Sequence, residues 1–144
     1  MRHVVFNQKG GVGKSTITCN LAAISAHQGL RTLVVDLDPQ GNSTHYLLGD
    51  AADAALDGAA EFFEQTLRFT VRSPATSDFV VETPFENLHL MASSPKLDEL
   101  HSKLESRYKI YKLRDGLAEL ADDYDVIYID TPPALNFYTR SALI

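Results

Sequence analysis

The feature that most constrains this chain is a glycine-rich loop, KGGVGKST at positions 9–16. An apolar run at positions 4–6 precedes this loop, and a segment with helical spacing begins at Ile17. Glycine has no Cβ atom, so the loop backbone can surround an anion closely, and the following helix N-terminus adds a positive dipole end. The order of strand, loop and helix therefore predicts a binding site for a polyphosphate.

The residues of the loop match the P-loop pattern, in which each position has a chemical role. In that pattern the lysine contacts the β- and γ-phosphates and the next hydroxyl binds Mg²⁺, which assigns these roles to Lys14 and Ser15. Thr16 is expected to add a phosphate hydrogen bond. The predicted nucleotide-binding residues are Lys9, Gly10, Gly11, Val12, Gly13, Lys14, Ser15 and Thr16.

The start of the loop differs from the common P-loop form, GxxxxGK[ST]. The first glycine of that form would stand at Gln8, and this chain has a second lysine, Lys9, instead. The motif KGGxGK[ST] resembles the deviant Walker A motif of the ParA/MinD family of ATPases. The resemblance implies ATP and Mg²⁺ as cofactors. It also implies that Lys9 acts in catalysis by contacting the nucleotide of the partner subunit in a dimer.

A second group of candidate residues lies in the acidic loop DLDPQGN at positions 36–42, after an apolar segment. Ligands bind at the carboxyl ends of the strands in an open α/β sheet, so Asp36 and Asp38 are expected near the phosphates. The loop resembles the Walker A′ region of ParA-type partition ATPases more closely than that of MinD. By this resemblance Asp38 positions the attacking water, and Asp36 lies near the Mg²⁺ shell.

The third motif is the apolar run at positions 124–130, which ends in Asp130. Such a run is typical of a fully buried parallel strand. It resembles a Walker B strand, in which Asp130 would hold Mg²⁺ together with Ser15 and Asp36. The following Thr131-Pro132-Pro133 resembles the switch II segment of the family.

The remaining patterns predict an α/β fold: a P-loop NTPase with a mostly parallel twisted sheet and helices on both faces. The predicted strands span 3–7, 31–36, 87–92 and 124–130. The predicted helices span 15–28, 44–50, 51–69 with Gly58 in its middle, 94–107, 110–122 and a segment from 134. Residues 70–86 are expected to form a loop or a short hairpin at the sheet margin.

Composition narrows the class of protein. The chain has 144 residues, 44% of them hydrophobic, and a net charge of −6, which argues against nucleic-acid binding through overall basicity. Cys19 is the only cysteine, so it is expected to be a structural residue in a reducing compartment.

No window of about 18 apolar residues is present, and a cytoplasmic location is expected. The five histidines lack the spacing of a metal site.

The resemblance covers nearly the whole chain, but only the first half to two-thirds of the family's domain. Residues 1–144 are therefore expected to form a single P-loop ATPase domain that is incomplete at its C-terminus and truncated after the Walker B strand and the start of the next helix. Residues 3–7 would then be an exposed apolar sheet edge, and ATP binding by this portion alone would be weak.

The function implied is an ATP-dependent dimerisation switch for plasmid or chromosome partition, with slow hydrolysis stimulated by a ParB-like partner. The full-length dimer would bind DNA non-specifically and associate with the nucleoid rather than a membrane. The alternatives are a MinD-like membrane-associated ATPase, an orphan relative that positions another cargo, and a nucleotide binder without turnover, against which Asp38 argues. A relative of the nitrogenase iron protein would need paired cysteines, and this chain has one.

Overall fold

The computed structural model describes residues 1–6, 13–54, 57–68 and 74–144. Within these ranges five strands form one sheet in the order β1-β5-β2-β4-β3. The strands are β1 (Arg2–Val5), β2 (Thr32–Asp36), β3 (Val81–Glu82), β4 (Leu88–Met91) and β5 (Val126–Asp130). The helices are α1 (Lys14–His27), α2 (Asn42–Leu48), α3 (Ala59–Glu64), α4 (Lys96–Ser106), α5 (Lys112–Glu119) and α6 (Phe137–Leu143).

The register of the central strands determines where the functional motifs meet. Strand β5 lies between β1 and β2 and is parallel to both. The last pairs of these ladders are Val5 with Asp130 and Asp36 with Asp130. The carboxyl ends of three strands, and with them the acidic residues of two motifs, therefore lie at the same edge of the sheet.

Successive side chains of the strands face opposite sides of the sheet, and each side has its own core. Leu33, Val35 and Ile129 pack with residues of α3, α4, α5 and α6. Val34 and Tyr128 pack on the other side with residues of α1 and α2. The predicted fold class, a mostly parallel sheet with helices on both faces, is confirmed.

The predicted helix over residues 51–69 is wrong in its first half. A 3₁₀ segment spans Gly49–Asp53, and α3 begins only at Ala59, after Gly58. Gly58 lies against the end of β4, where a Cβ atom at this position would come within 2.2 Å of the Ala92 carbonyl oxygen. The glycine therefore does not weaken the middle of a helix. Its lack of a side chain allows the chain to approach the sheet before the helix begins.

The segment at residues 70–86, expected to form a loop or a short hairpin at the sheet margin, contributes one marginal strand, β3, in its described part. Strand β3 pairs antiparallel with β4, through Val81 with Leu90 and Glu82 with His89. Residues 69–73 lie outside the described ranges. At the opposite margin, β1 pairs with β5 alone in the part of the chain that the structure describes, and so forms the predicted sheet edge.

The other predicted segments are present with shifted ends. The segment expected to become helical from position 134 does so at Phe137, because Asn136 caps the helix. The Asn136 side-chain oxygen accepts hydrogen bonds from the backbone N–H groups of Tyr138 and Thr139, at 3.0 and 3.2 Å. In the part of the chain that the structure describes, every helix is too short or too polar to span a lipid bilayer.

Candidate nucleotide and metal site

The N-terminus of α1 has the properties of an anion site. Gly13 precedes the helix with a φ of 73°, a left-handed conformation that glycine adopts without strain. The first N–H groups of a helix have no partner within the helix, and the first turn of α1 contains no acidic residue. These groups are therefore available to an anionic ligand such as a phosphate.

Lys14, the first residue of α1, contacts the end of the Walker B strand. Its Nζ atom donates to Oδ1 of Asp130 and to the carbonyl oxygen of Thr131. The same Nζ lies 3.9 Å from Oδ2 of Asp38. All three charged side chains are buried, so the cation stabilises two carboxylates that would otherwise be costly to remove from water.

The other oxygen of Asp130 accepts two hydroxyl hydrogen bonds. Ser15 Oγ donates to Oδ2 at 2.7 Å, and Ser43 Oγ donates to the same oxygen at 2.6 Å. Ser15 comes from α1 and Ser43 from α2, so the carboxylate is held between two helices. The predicted metal-site residues Ser15 and Asp130 are therefore adjacent.

The Asp36 carboxyl group is held by a different set of donors from the Asp130 carboxylate. Its Oδ2 accepts hydrogen bonds from the backbone N–H and the hydroxyl of Thr44, at 2.9 and 2.8 Å, and its Oδ1 accepts from the N–H of Asp38 at 3.1 Å. Burial, and secondarily the charge of Asp130, raise the pKa of Asp36 to about 7, against the opposing effect of these hydrogen bonds. The carboxyl group is thus directed towards the acidic loop and the start of α2. Its predicted place near the Mg²⁺ shell stays a prediction.

The backbone of Asp38 is fixed on both sides. Its N–H donates to Asp36, and its carbonyl oxygen accepts from the hydroxyl of Ser93, which follows β4, and from the N–H of Gly41 at 2.9 Å. The Asp38 carboxylate accepts a hydrogen bond from the N–H of Gln40 at 3.0 Å. Burial raises the pKa of Asp38, and the Gln40 hydrogen bond and the Lys14 charge oppose the rise. The loop thus presents this carboxylate at a defined position beside Lys14.

The residues present fit a magnesium nucleotide. A hydroxyl and a carboxylate are hard oxygen ligands, and Mg²⁺ is commonly bound by one or two such protein groups together with phosphate oxygens. Ser15 and Asp130 supply that pair at the N-terminus of α1, with Lys14 beside them. Among the described residues, no group of three or more His, Cys, Asp or Glu side chains is placed to hold a metal.

Five of the predicted nucleotide-binding residues have no described contact with the candidate site. Lys9, Gly10, Gly11 and Val12 lie outside the described ranges. Thr16, predicted to bind phosphate, donates from Oγ1 to the hydroxyl of Tyr46 at 3.1 Å. Their roles stay predictions.

Sequence reasoning missed three hydroxyl residues that complete the site: Ser43, Thr44 and Ser93. Thr44 Oγ1 donates to Asp36 and accepts from the N–H of Ser93 at 2.9 Å, so it joins the ends of β2 and β4. A signal was available, because Ser93 directly follows the predicted strand at 87–92 and hydroxyls directly follow the acidic loop. Like Asp36 and Asp130, these residues lie near the carboxyl ends of strands, where ligands bind in an open α/β sheet.

Comparison with known proteins identifies the family. Residues 2–144 match the family described as an AAA domain. The chain belongs to this AAA domain family. The resemblance to the ParA/MinD ATPases that the motifs predict is confirmed by the relatives of the chain.

The relatives of this AAA domain include named partition proteins. The chromosome partitioning protein ParA of Myxococcus xanthus is 35% identical over 140 residues, which are 96% of this chain and 47% of that protein. The sporulation initiation inhibitor protein Soj of Bacillus subtilis is 36% identical over 141 residues, 96% of this chain and 52% of that protein. This AAA domain thus spans about half the length of these relatives.

Among solved structures, cobyrinic acid a,c-diamide synthase from Mycobacterium smegmatis, with bound ADP and magnesium, has a similar fold. Its TM-score with this AAA domain is 0.86 at 33% identity, over 99% of this chain and 55% of that chain. The comparison supports the assignment of a P-loop NTPase fold.

Proposed function

We propose that this AAA domain binds ATP with Mg²⁺ and is the nucleotide-binding portion of a ParA/Soj-type partition ATPase. The chain has relatives named for chromosome partition, and a solved neighbour at 33% identity holds ADP and magnesium. In the proposed complex Lys14 contacts the β- and γ-phosphates, Ser15 and Asp130 hold the metal, and Asp36 lies close to them. Bound magnesium would neutralise phosphate charge.

The observation that carries this proposal is the convergence of Lys14, Ser15 and Asp130 at one helix N-terminus. Lys14 and Ser15 are 116 and 115 positions from Asp130 in the chain, and their polar atoms are in direct hydrogen-bond contact with its carboxylate. Each residue has the side-chain chemistry that phosphoryl transfer requires at its place. A polyphosphate site is the function that this combination supports best.

Hydrolysis would depend on Asp38. Phosphoryl transfer needs a nucleophile held in line with the bond that breaks, and the protein contributes mainly position and charge. The Asp38 carboxylate lies 3.9 Å from Lys14 Nζ, and its backbone is held at both its N–H and its carbonyl oxygen. It is therefore suited to orient the attacking water.

The switch function extends this proposal to the full-length protein. With ATP bound, two copies would form a sandwich dimer in which Lys9 contacts the partner's nucleotide. That dimer would bind DNA without sequence preference at the nucleoid, in the cytoplasm, and a ParB-like protein would stimulate hydrolysis. The partition relatives support this extension, and Thr131, whose carbonyl oxygen accepts from Lys14, begins the proposed switch II segment.

A sedimentation assay tests the switch function. The full-length protein with Asp38→Ala, loaded with ATP and Mg²⁺, is offered plasmid DNA and anionic liposomes in parallel, with ADP as the matched control. The proposal expects retention on DNA with ATP, none with ADP, and none on liposomes. Retention on liposomes alone would favour a MinD-like positioning ATPase, and retention on neither surface would contradict the partition function.

A further inference from the structure

Ser43 is buried in the first turn of α2 and touches the proposed metal site. Its side chain is inaccessible to solvent, and its hydroxyl donates to Oδ2 of Asp130 at 2.6 Å. The two residues are 87 positions apart in the chain. The Ser43 hydroxyl can therefore restrain the carboxylate of Asp130. Ser43 itself lies outside the three sequence motifs.

The three described donors to the Asp130 carboxylate differ in whether they are also proposed to contact the magnesium nucleotide. Lys14 donates to Oδ1, and Ser15 donates to Oδ2 beside Ser43. Both Lys14 and Ser15 are proposed to contact the magnesium nucleotide, so their bonds to Asp130 must adjust when it binds. We assign Ser43, which approaches the carboxylate from α2, no contact with the nucleotide.

The position of Ser43 is itself fixed by its neighbours. The next residue, Thr44, binds Asp36 through both its N–H and its hydroxyl. The carbonyl oxygen of Ser43 lies 3.9 Å from the buried thiol of Cys19 on α1. The start of α2 is thus anchored to β2 and to α1, and it presents the Ser43 hydroxyl at a defined place.

We propose that Ser43 is a positioning residue for the metal site, which holds the Asp130 carboxylate in the orientation that binding of magnesium with ATP requires. This inference rests on the proposed function. Its physical basis is that a buried carboxylate that loses one of its three described donors also loses part of the restraint on its rotation. Without the Ser43 hydroxyl, nucleotide binding is expected to require a higher magnesium concentration, rather than the protein simply losing stability.

The test measures the magnesium concentration at which half of a fluorescent methylanthraniloyl-ATP probe binds the full-length protein. Ser43→Ala removes the hydroxyl, and Ser25→Ala is the matched control. Ser25 is also a buried serine facing β5, and its hydroxyl bonds the Tyr128 hydroxyl at 2.7 Å, two residues before Asp130. Urea unfolding without metal measures the stability of both variants.

We expect Ser43→Ala to raise the half-binding magnesium concentration by roughly two- to tenfold, the equivalent of one net hydrogen bond. Ser25→Ala should leave that concentration unchanged even where it lowers stability. Equal magnesium dependence in Ser43→Ala and wild type would overturn the positioning role and leave the proposed function intact. Absence of magnesium-dependent binding in the wild-type protein would instead overturn the proposed function, and this inference with it.

A second variant keeps the test informative if Ser43→Ala does not fold. Ser43→Cys keeps nearly the same size but offers only a weak S–H donor. It should shift the magnesium dependence in the same direction as Ser43→Ala. If folded Ser43→Cys has the same half-binding magnesium concentration as wild type, the positioning role is contradicted.

Discussion

Asp36 and Asp130 are the last register pair of β2 and β5, so two buried carboxyl groups stand side by side at one edge of the sheet. Asp130 has Lys14 as a counter-charge, whereas the described donors to Asp36 are a hydroxyl and two backbone N–H groups. Burial is the larger cause of the raised pKa of Asp36, and the charge of the adjacent Asp130 adds to it.

The raised pKa of Asp36 predicts a pH dependence of stability. Its pKa rises from 3.8 to about 7 on folding, so the folded protein keeps a proton that the unfolded chain releases. The stabilisation from this proton is complete below pH 3.8 and is lost as the pH rises to about 7. Asp36→Asn should flatten this slope in urea unfolding, whereas the exposed Asp50→Asn should not. An unchanged slope in Asp36→Asn would contradict the assignment.

The hydrogen bonds of the Thr44 hydroxyl are expected to stabilise the folded protein. Thr44→Val keeps the shape but removes a donor to Asp36 and leaves the N–H of Ser93 without this acceptor. We expect a loss of about 1–3 kcal/mol in the free energy of unfolding. Thr44→Ser, which retains the hydroxyl, is the control and should lose less. If Thr44→Val loses no more stability than Thr44→Ser, the hydrogen bonds of the hydroxyl do not carry the effect.

Cys19 is predicted to react slowly in the folded protein. It is buried on α1, and burial raises the pKa of its thiol to about 11, so little thiolate forms near neutral pH. Iodoacetamide labelling followed by mass spectrometry should show slow modification in buffer and rapid modification in urea, which provides an internal control. Rapid labelling of the folded protein would show that the thiol is accessible.

Lys9 is predicted to act between subunits. Lys9→Ala in the full-length protein should retain ATP binding and lose ATP-dependent dimerisation, because its proposed contact is to the partner's nucleotide. Light scattering with ATP and Mg²⁺ measures the dimer, and the exposed Lys103→Ala is the control. A normal ATP-dependent dimer in Lys9→Ala would exclude the role in trans.

The sequence predicted the fold where patterns were long or chemically distinctive. The buried run ending in Asp130 and the segment from Ile17 gave the strand and helix that hold the site. The region around Gly58 was predicted poorly, because its conformation depends on a close approach to Ala92, 34 residues later. Local propensity carries no information about such a contact.

The charged residues and Ser15 of the candidate site were named from the sequence, whereas Ser43, Thr44 and Ser93 were not. Lys14, Ser15 and Asp130 follow from motifs with a known chemical role. The contacts of Ser43 and Ser93 depend on how α2 and the end of β4 pack beside β5 and β2. Serine is common in turns, so its presence after a loop or strand does not by itself indicate a site.

The most direct test of the account is calorimetric titration of the full-length protein with ATP in the presence of Mg²⁺. Wild type is compared with Lys14→Ala and with Lys103→Ala, after circular dichroism shows that all three are folded. We expect wild type and Lys103→Ala to bind alike and Lys14→Ala to lose roughly ten- to hundredfold in affinity, as for a hydrogen bond to a charged group. Equal affinity in Lys14→Ala and wild type would contradict the proposed nucleotide site.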